Sequence, residues 1–268
     1  MNIPAQARTI CLEIQYDGAQ YCGWQRQPKQ QSVQEMLECA IERVSQEKVT
    51  CVASGRTDSG VHARKQVVSF VLRSSKANLE AYHIGVNRYL PDDIRVLCAK
   101  EVSEDFHAIR NSYSKTYRYF FSLFPTQNLF YRHYVWNLSY SIDISQMKQA
   151  CEVFVGTHDF SCFQTHPREK KSHVRTIQAL SVQPMHDFFF IEVKADGFLR
   201  HMVRALVGTL IDAGRGKISV EDCSMILTSL DRNQAGQTAP AHALFLWDVF
   251  YDETSKEKST LDLSWEVE

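Results

Sequence analysis

The nine residues Gly55 to Ala63, reading Gly-Arg-Thr-Asp-Ser-Gly-Val-His-Ala, constrain this chain more than any other stretch. They set an arginine, a carboxylate and an imidazole between two runs with strand character, Val49 to Ala53 and Gln66 to Leu72. Glycine lets a backbone turn at positive φ and lets a ligand come close, so Gly55 and Gly60 bracket Asp58 on a tight turn at a strand end. Arg56, two residues away, either keeps that carboxylate ionised or offers its planar fork to an anionic substrate. The same letters suit an Asx-type turn whose aspartate caps its own backbone, so spacing alone leaves both readings open.

Around the loop, hydrophobic periodicity lays out alternating elements. Ile10, Leu12 and Ile14 alternate as a strand and stop at Asp17-Gly18. Ser32 opens a capping box with Glu35, and the apolar spacing predicts a helix over about 33–46. A second helix is expected over Leu79 to Tyr89 and a strand over Ile94 to Val102, which makes the order β-α-β-β-α-β. After Ser114 a similar order returns: a strand over Tyr117 to Phe124, a helix over Ile144 to Val155, strands over Ile177 to Val182 and Phe188 to Lys194, a helix over Phe198 to Ala213, a short helix near Val220 to Ser229 and a strand over Ala243 to Phe250. The expected fold class is α/β in the α+β sense: two ferredoxin-like β-α-β-β-α-β halves joined in a continuous, mainly antiparallel mixed sheet with a central cleft on its open face. The corresponding division is 1–105, 106–251 and an acidic tail, 252–268.

A chain of 268 residues with 44% apolar content buries one large core or two ordinary ones. Eight cysteines, never closer than 11 residues apart, form no paired thiolate motif and read as reduced thiols. His62, His107, His158 and His201 are scattered without ligand spacing, so no metal site is expected. The first nine residues lack a signal-peptide pattern and no run is long enough to span a bilayer, which points to a cytoplasmic protein with no membrane partner. Net charge is −1, but the segment from Asp248 on holds seven acids and two lysines, which leaves 28 basic against 24 acidic side chains elsewhere. Basic residues also cluster: Arg56, Arg64 and Lys65; Arg110, Lys115 and Arg118; and Arg168, Lys170, Lys171, His173 and Arg175. Such clusters set phosphate affinity more than total charge does, although a solvated surface loop has the same composition.

The loop and seven further blocks resemble the tRNA pseudouridine synthase A family. Beside Gly55 to Ala63 these are Tyr16-Asp17-Gly18 with Gly23-Trp24-Gln25, Val33-Gln34-Glu35, Leu90-Pro91, Phe106-His107-Ala108, Lys115-Thr116-Tyr117-Arg118-Tyr119, Met202-Val203-Arg204 and Ala239-Pro240-Ala241, all in family order. Ser59 stands where the family more often has alanine, Ile109 where it has arginine, with Arg110 one place late, and Ala243 where it has glycine.

The resemblance implies the pseudouridine synthase fold and isomerisation of uridine at positions 38, 39 and 40 of the tRNA anticodon stem-loop by a homodimer, without a cofactor. It implies Asp58 as nucleophile or base, Tyr117 as the active-site tyrosine and Arg204 as the partner of Asp58, all three catalytic. Arg56, His62, Arg64, Lys115 and Tyr117 are the expected substrate-binding set; by their letters alone Tyr117 and Tyr119 also suit core or cross-strand packing, and Tyr16, Asp17, Tyr21 and Trp24 suit either a turn with aromatic padding or, by the resemblance, an RNA contact. From the residues alone, Arg200 and Arg204 fall four apart on one face of the Phe198 to Ala213 helix, and a guanidinium there needs an anionic partner. Two rivals stand beside this reading. A ferredoxin-like RNA-binding protein without turnover would lack the aspartate, and an Asp-nucleophile hydrolase would need a second acid such as Asp17 or Asp159, or a metal cluster.

Overall fold

The computed structural model describes residues 7–126, 128–165 and 172–252, organised on a ten-stranded mixed sheet. The first part of the chain supplies β1 (Arg8–Tyr16), α1 (Val33–Ser45), β2 (Val52–Ala53), β3 (His62–Leu72), a helical stretch at 79–87 with a π turn at Ala81–Gly85, and β4 (Ile94–Val102). The second supplies β5 (Ser114–Ser122), β6 (Trp136–Asn137), α2 (Ile144–Phe154), β7 (Gly156–Asp159), β8 (Val174–Met185), β9 (Phe188–Ala195), α3 (Met202–Gly214), α4 (Val220–Ser229) and β10 (Leu244–Phe250). Along the sheet the order is β4-β1-β3-β10-β5-β9-β8-β7, with β2 on β3 and β6 on β5. The spatial order β4-β1-β3-β2 is repeated by β10-β5-β9-β8, the ferredoxin-like arrangement twice over.

The local chemistry explains the elements. Ile10, Leu12, Ile14 and Tyr16 alternate into the core along β1, while Val33, Leu37 and Ile41 bury one stripe of α1. Only half of the expected capping box at α1 forms: Ser32 accepts the Glu35 amide, whereas the reciprocal bond is made at α4 by Ser219 and Asp222. The strand before the motif is two residues long, not five, and β6 and β7 are short strands that periodicity did not announce.

Helix α3 starts at Met202, not Phe198, because His201 takes a left-handed backbone at φ 62° and ψ 4°. Arg200 is therefore exposed outside the helix and shares no helical face with Arg204. The helix is otherwise buried nearly all round, with Met202, Ala205, Leu206, Leu210 and Ile211 in the core. Across it runs a strap, residues 235–240. A β-carbon on Gly208 would lie 1.8 Å from the Gln237 carbonyl oxygen, and Thr209 accepts the Gly236 amide at 2.9 Å. This close crossing carries Ala239 and Pro240 to the middle of the sheet.

All eight cysteines are free, and no helix among the described residues is long and apolar enough to cross a membrane. We expect Gly208→Ala to cost about 3 kcal/mol, because the obstacle is backbone and cannot move aside. Urea unfolding monitored by circular dichroism checks this, and an unchanged midpoint would contradict the crossing.

Candidate active site

The motif loop owes its position to competition for one edge of β3. Phe245 and Leu246 of β10 pair in parallel with His62 and Ala63, while Val52 and Ala53 of β2 pair antiparallel with Ser69 and Val68. Since β1 takes the other edge, β2 and β10 divide this one, and the chain between β2 and β3 has to leave the sheet where the two halves join. The buried Gln66 staples the exit, accepting from Ser54 Oγ at 2.6 Å and donating to the Gly55 carbonyl at 2.8 Å. Val61 N–H closes the turn on the Asp58 carbonyl at 3.1 Å, and Gly60 takes the positive φ of 76° that the turn demands.

From behind, residues 16–24 hold the loop. Trp24 N–H donates to the Thr57 carbonyl at 3.1 Å, Tyr16 and Thr57 hydroxyls lie 2.8 Å apart, and Ser59 Oγ donates to the Tyr21 carbonyl at 3.2 Å. Gly23, at φ 104°, presses so closely that a β-carbon would sit 2.5 Å from the Thr57 carbonyl oxygen. Tyr16, Tyr21 and Trp24 are buried, so the expectation of RNA contact by these rings is corrected: they are the buttress under the loop.

On this support Asp58 keeps its side chain 29% exposed, and two cationic or polar side chains reach it at the same oxygen. Arg204 Nη1 is 3.8 Å and His201 Nε2 is 3.5 Å from Asp58 Oδ2. Arg204 is itself fixed, its Nε donating to the Ala239 carbonyl at 2.7 Å while its own carbonyl accepts the Ala239 amide at 3.0 Å. Burial lowers the Arg204 pKa from its ordinary value and Asp58 opposes that shift. Tyr117 is buried beside them, edge-on to Phe198 with ring centroids 5.0 Å apart. Its phenol is raised above the ordinary 10.0 by burial, then by the neighbouring Tyr16 and Asp58, so it is protonated at neutral pH. Next along β5, the Tyr119 hydroxyl donates to the Pro240 carbonyl at 3.0 Å and pins the strap. Tyr117, Tyr119 and α3 share the helix-bearing side of the sheet, so Tyr117 and Arg204 approach Asp58 from there at the seam and not from the open face.

The other expected residues are dispersed. Arg56 is exposed beside Asp58 and has no ion pair among the described residues. Lys115 is buried under the loop, its stem against Gly55 and its Nζ donating to Ser112 Oγ at 2.7 Å; burial pushes its pKa down and Asp196 opposes this. Arg64 lies 4.8 Å over the Trp247 ring, which also carries Arg118 at 4.2 Å. Strand alternation puts Arg118 and its partners on the face opposite Tyr117, so Arg64 is not brought to the site. Ile109 and Arg110 are both exposed on a turn. Arg168, Lys170 and Lys171 fall outside the described residues, and Arg175 folds onto the Ser172 and Val174 carbonyls.

His62 is the clearest departure, being 1% exposed and out of a substrate's reach. Its Nδ1 accepts the Gly18 amide at 3.0 Å, its Nε2 donates to the His242 carbonyl at 3.0 Å, and its ring stacks on Phe245 at 4.6 Å. Asp17 Oδ1 also lies 3.0 Å from Nδ1, which would favour the protonated ring, but burial outweighs it and the pKa is lowered. The imidazole thus joins the two halves as a neutral group. His201, absent from the expected set, is the residue that the sequence reading missed; it stands three before Arg204, and nothing in the letters signals its left-handed backbone.

Compared with known proteins, residues 13–109 and 150–252 match the sequence profile described as tRNA pseudouridine synthase. The chain is 41% identical over 244 residues to tRNA pseudouridine synthase A of Thermoanaerobacter sp. (strain X514), covering 91% of this chain and 100% of that relative. It is 42% identical over 241 residues to the protein of the same name from Bacillus pumilus (strain SAFR-032), covering 89% of this chain and 97% of that one. The chain belongs to the tRNA pseudouridine synthase family, a class of isomerases acting on uridine in tRNA, and the doubled sheet is its fold.

The neutral His62 carries a pH consequence. As pH falls through the ordinary imidazole value of 6.5 the unfolded chain binds a proton that the folded chain refuses, so stability is complete above that value and declines on acidification. His242 is shifted the same way by burial. We expect His62→Gln to lower the urea midpoint at about pH 7.5 but to shrink its further drop at about pH 5.5. An equal drop in both proteins would remove His62 from the acid sensitivity.

Proposed function

We propose that this protein isomerises uridine to pseudouridine at positions 38, 39 and 40 of the tRNA anticodon stem-loop, with Asp58 as the catalytic carboxylate. The observation that carries this reading is a partly exposed carboxylate on a rigid loop, faced by a fixed guanidinium, in a chain that matches the family on both sides of the seam. The bond from uracil N1 to ribose C1′ breaks, the base turns over, and C5 bonds to C1′. The proton leaving C5 is balanced by one gained at N1, so no net oxidation or hydrolysis occurs.

Asp58 serves either as a nucleophile at C1′ or as a base that removes a ribose proton to give a glycal. The Arg204 guanidinium faces the carboxylate that both routes use. Tyr117 offers a ring edge to a uridine withdrawn from its stack, at a cost of about a few kcal/mol repaid by contacts in the site. Arg56, exposed on the same loop, is placed to meet backbone phosphate. The same reading divides the chain into halves at 1–105 and 106–251 with an acidic tail, makes it cytoplasmic, and has it act as a homodimer with one tRNA spanning both subunits. Light scattering of the purified protein tests the dimer.

For the chemistry, we expect Asp58→Asn to bind unmodified tRNA within about threefold of the unaltered protein and to form no pseudouridine in single-turnover assays. Carbodiimide labelling read by primer extension locates the product. Turnover by the variant would refute the role of Asp58, and product elsewhere than 38 to 40 would refute the position.

A further inference from the structure

We infer that His201 is a positioning residue for the catalytic carboxylate, fixing Asp58 so that Oδ1 is the oxygen that meets the substrate. The inference rests on the proposed role of Asp58 and adds a group that acts through it.

Three observations converge on the imidazole. Its Nε2 stands 3.5 Å from Asp58 Oδ2, the same oxygen that Arg204 approaches at 3.8 Å. Its Nδ1 is 2.6 Å from Thr165 Oγ1, a short hydrogen bond that fixes the ring about its own axis. Its backbone sits at φ 62° in the left-handed region, where a residue with a β-carbon is held only if its surroundings over-determine it. The neighbouring Arg200 carbonyl accepts the Thr165 amide at 3.3 Å, so backbone and side chain clip residues 200 and 201 to Thr165 together.

The tautomer follows from the partners. A ring with its proton on Nδ1 would aim a lone pair from Nε2 at a carboxylate, which is repulsive. In a neutral ring Thr165 then donates its hydroxyl proton to Nδ1 and the ring proton sits on Nε2, facing Oδ2; in a protonated ring Nε2 carries a proton towards Oδ2 all the same. Two side chains, His201 at 3.5 Å and Arg204 at 3.8 Å, then face the same oxygen from α3 and its leading turn. A carboxylate rotates easily about its last bond, and donors on one oxygen break the equivalence of the two. Oδ1 is left to attack or to take the proton. Arg204 supplies charge, and His201 supplies direction.

The test compares His201→Phe and His201→Gln with the unaltered protein, using unmodified tRNA. Removal of the donor in His201→Phe should lower kcat by roughly 10- to 100-fold, because the nucleophile loses its near-attack geometry. KM should stay within about twofold, since the ring makes no ground-state contact in this reading. His201→Gln, whose amide nitrogen can reach the Nε2 position, should recover most of the lost rate. Thermal melting of both variants is measured alongside.

If His201→Phe keeps kcat within about threefold, the inference is wrong. It is equally wrong if both variants lose rate in proportion to a lowered melting temperature, the signature of a purely structural residue. An unaltered protein that makes no pseudouridine under these conditions would instead sink the reading of Asp58, so the two failures are distinguishable.

Discussion

Two parallel residue pairs, Phe245 with His62 and Leu246 with Ala63, are the join on which the rest of this molecule depends. They make one sheet out of two ferredoxin-like sets. By occupying the start of the β3 edge they also confine β2 to Val52 and Ala53, at the far end of that edge. The chain between has no strand to pair with and must rise from the sheet, which is why the motif becomes a loop at the seam. Asp58 comes from the first set of elements, whereas Tyr117, His201 and Arg204 come from the second, so the constellation exists only while the join holds. His62, buried and neutral between Gly18 and the His242 carbonyl, is the polar fastening at that same place.

Rigidity on this loop is built from backbone contacts more than from the ion pair. A pair of unit charges near 3.8 Å amounts to about 4 kcal/mol at an effective dielectric of 20 and about 1 kcal/mol in water, and the partly exposed Asp58 lies between these limits. Meanwhile Thr57, Ser59, Gly60 and Val61 each make a hydrogen bond within the loop or to the segment behind it, and Gly23 admits no side chain at the contact. Arg204 brings little freedom to lose, being tied to Ala239 at both its side chain and its carbonyl. The charge pair therefore acts on Asp58 within a frame that is already set, which is the arrangement that preorganised catalysis requires.

Much of this was legible in the letters, and most of the failures share one cause. Apolar periodicity located β1, α1, α2 and most of α3 because side-chain burial repeats with the backbone. The pairing of Asp58 with Arg204 was also within reach, because an arginine among Met202, Leu206 and Leu210 needs a counter-charge and the motif has one. What could not be read was the burial of polar and aromatic groups by non-local contacts. His62, Lys115, Tyr16, Tyr21 and Trp24 carry the letters of a binding surface, yet they are covered by elements distant in sequence, among them β10 and the 16–24 segment. His201 failed in the opposite sense: it was passed over as a lone histidine, and its significance comes from a backbone conformation and a Thr165 contact with no sequence signature.

The same attention to partners resolves how a chain of net charge −1 meets a polyanion. Several guanidinium and ammonium groups of the folded part are neutralised where they stand: Arg8 by Glu101, Arg26 by Glu38, Lys65 by Asp248, Arg95 by Asp92 and Arg118 by Glu192. On the open face the Arg64, Trp247, Arg118 and Glu192 ladder satisfies itself through ring and carboxylate contacts, which leaves that face little field to project. Arg56 and Arg200, by contrast, are exposed and have no ion pair among the described residues. One lies two positions from Asp58 and the other directly precedes His201. Positive charge thus stands at the rim of the Asp58 carboxylate as well as elsewhere on the surface, and charge at a rim is what draws a phosphate towards it.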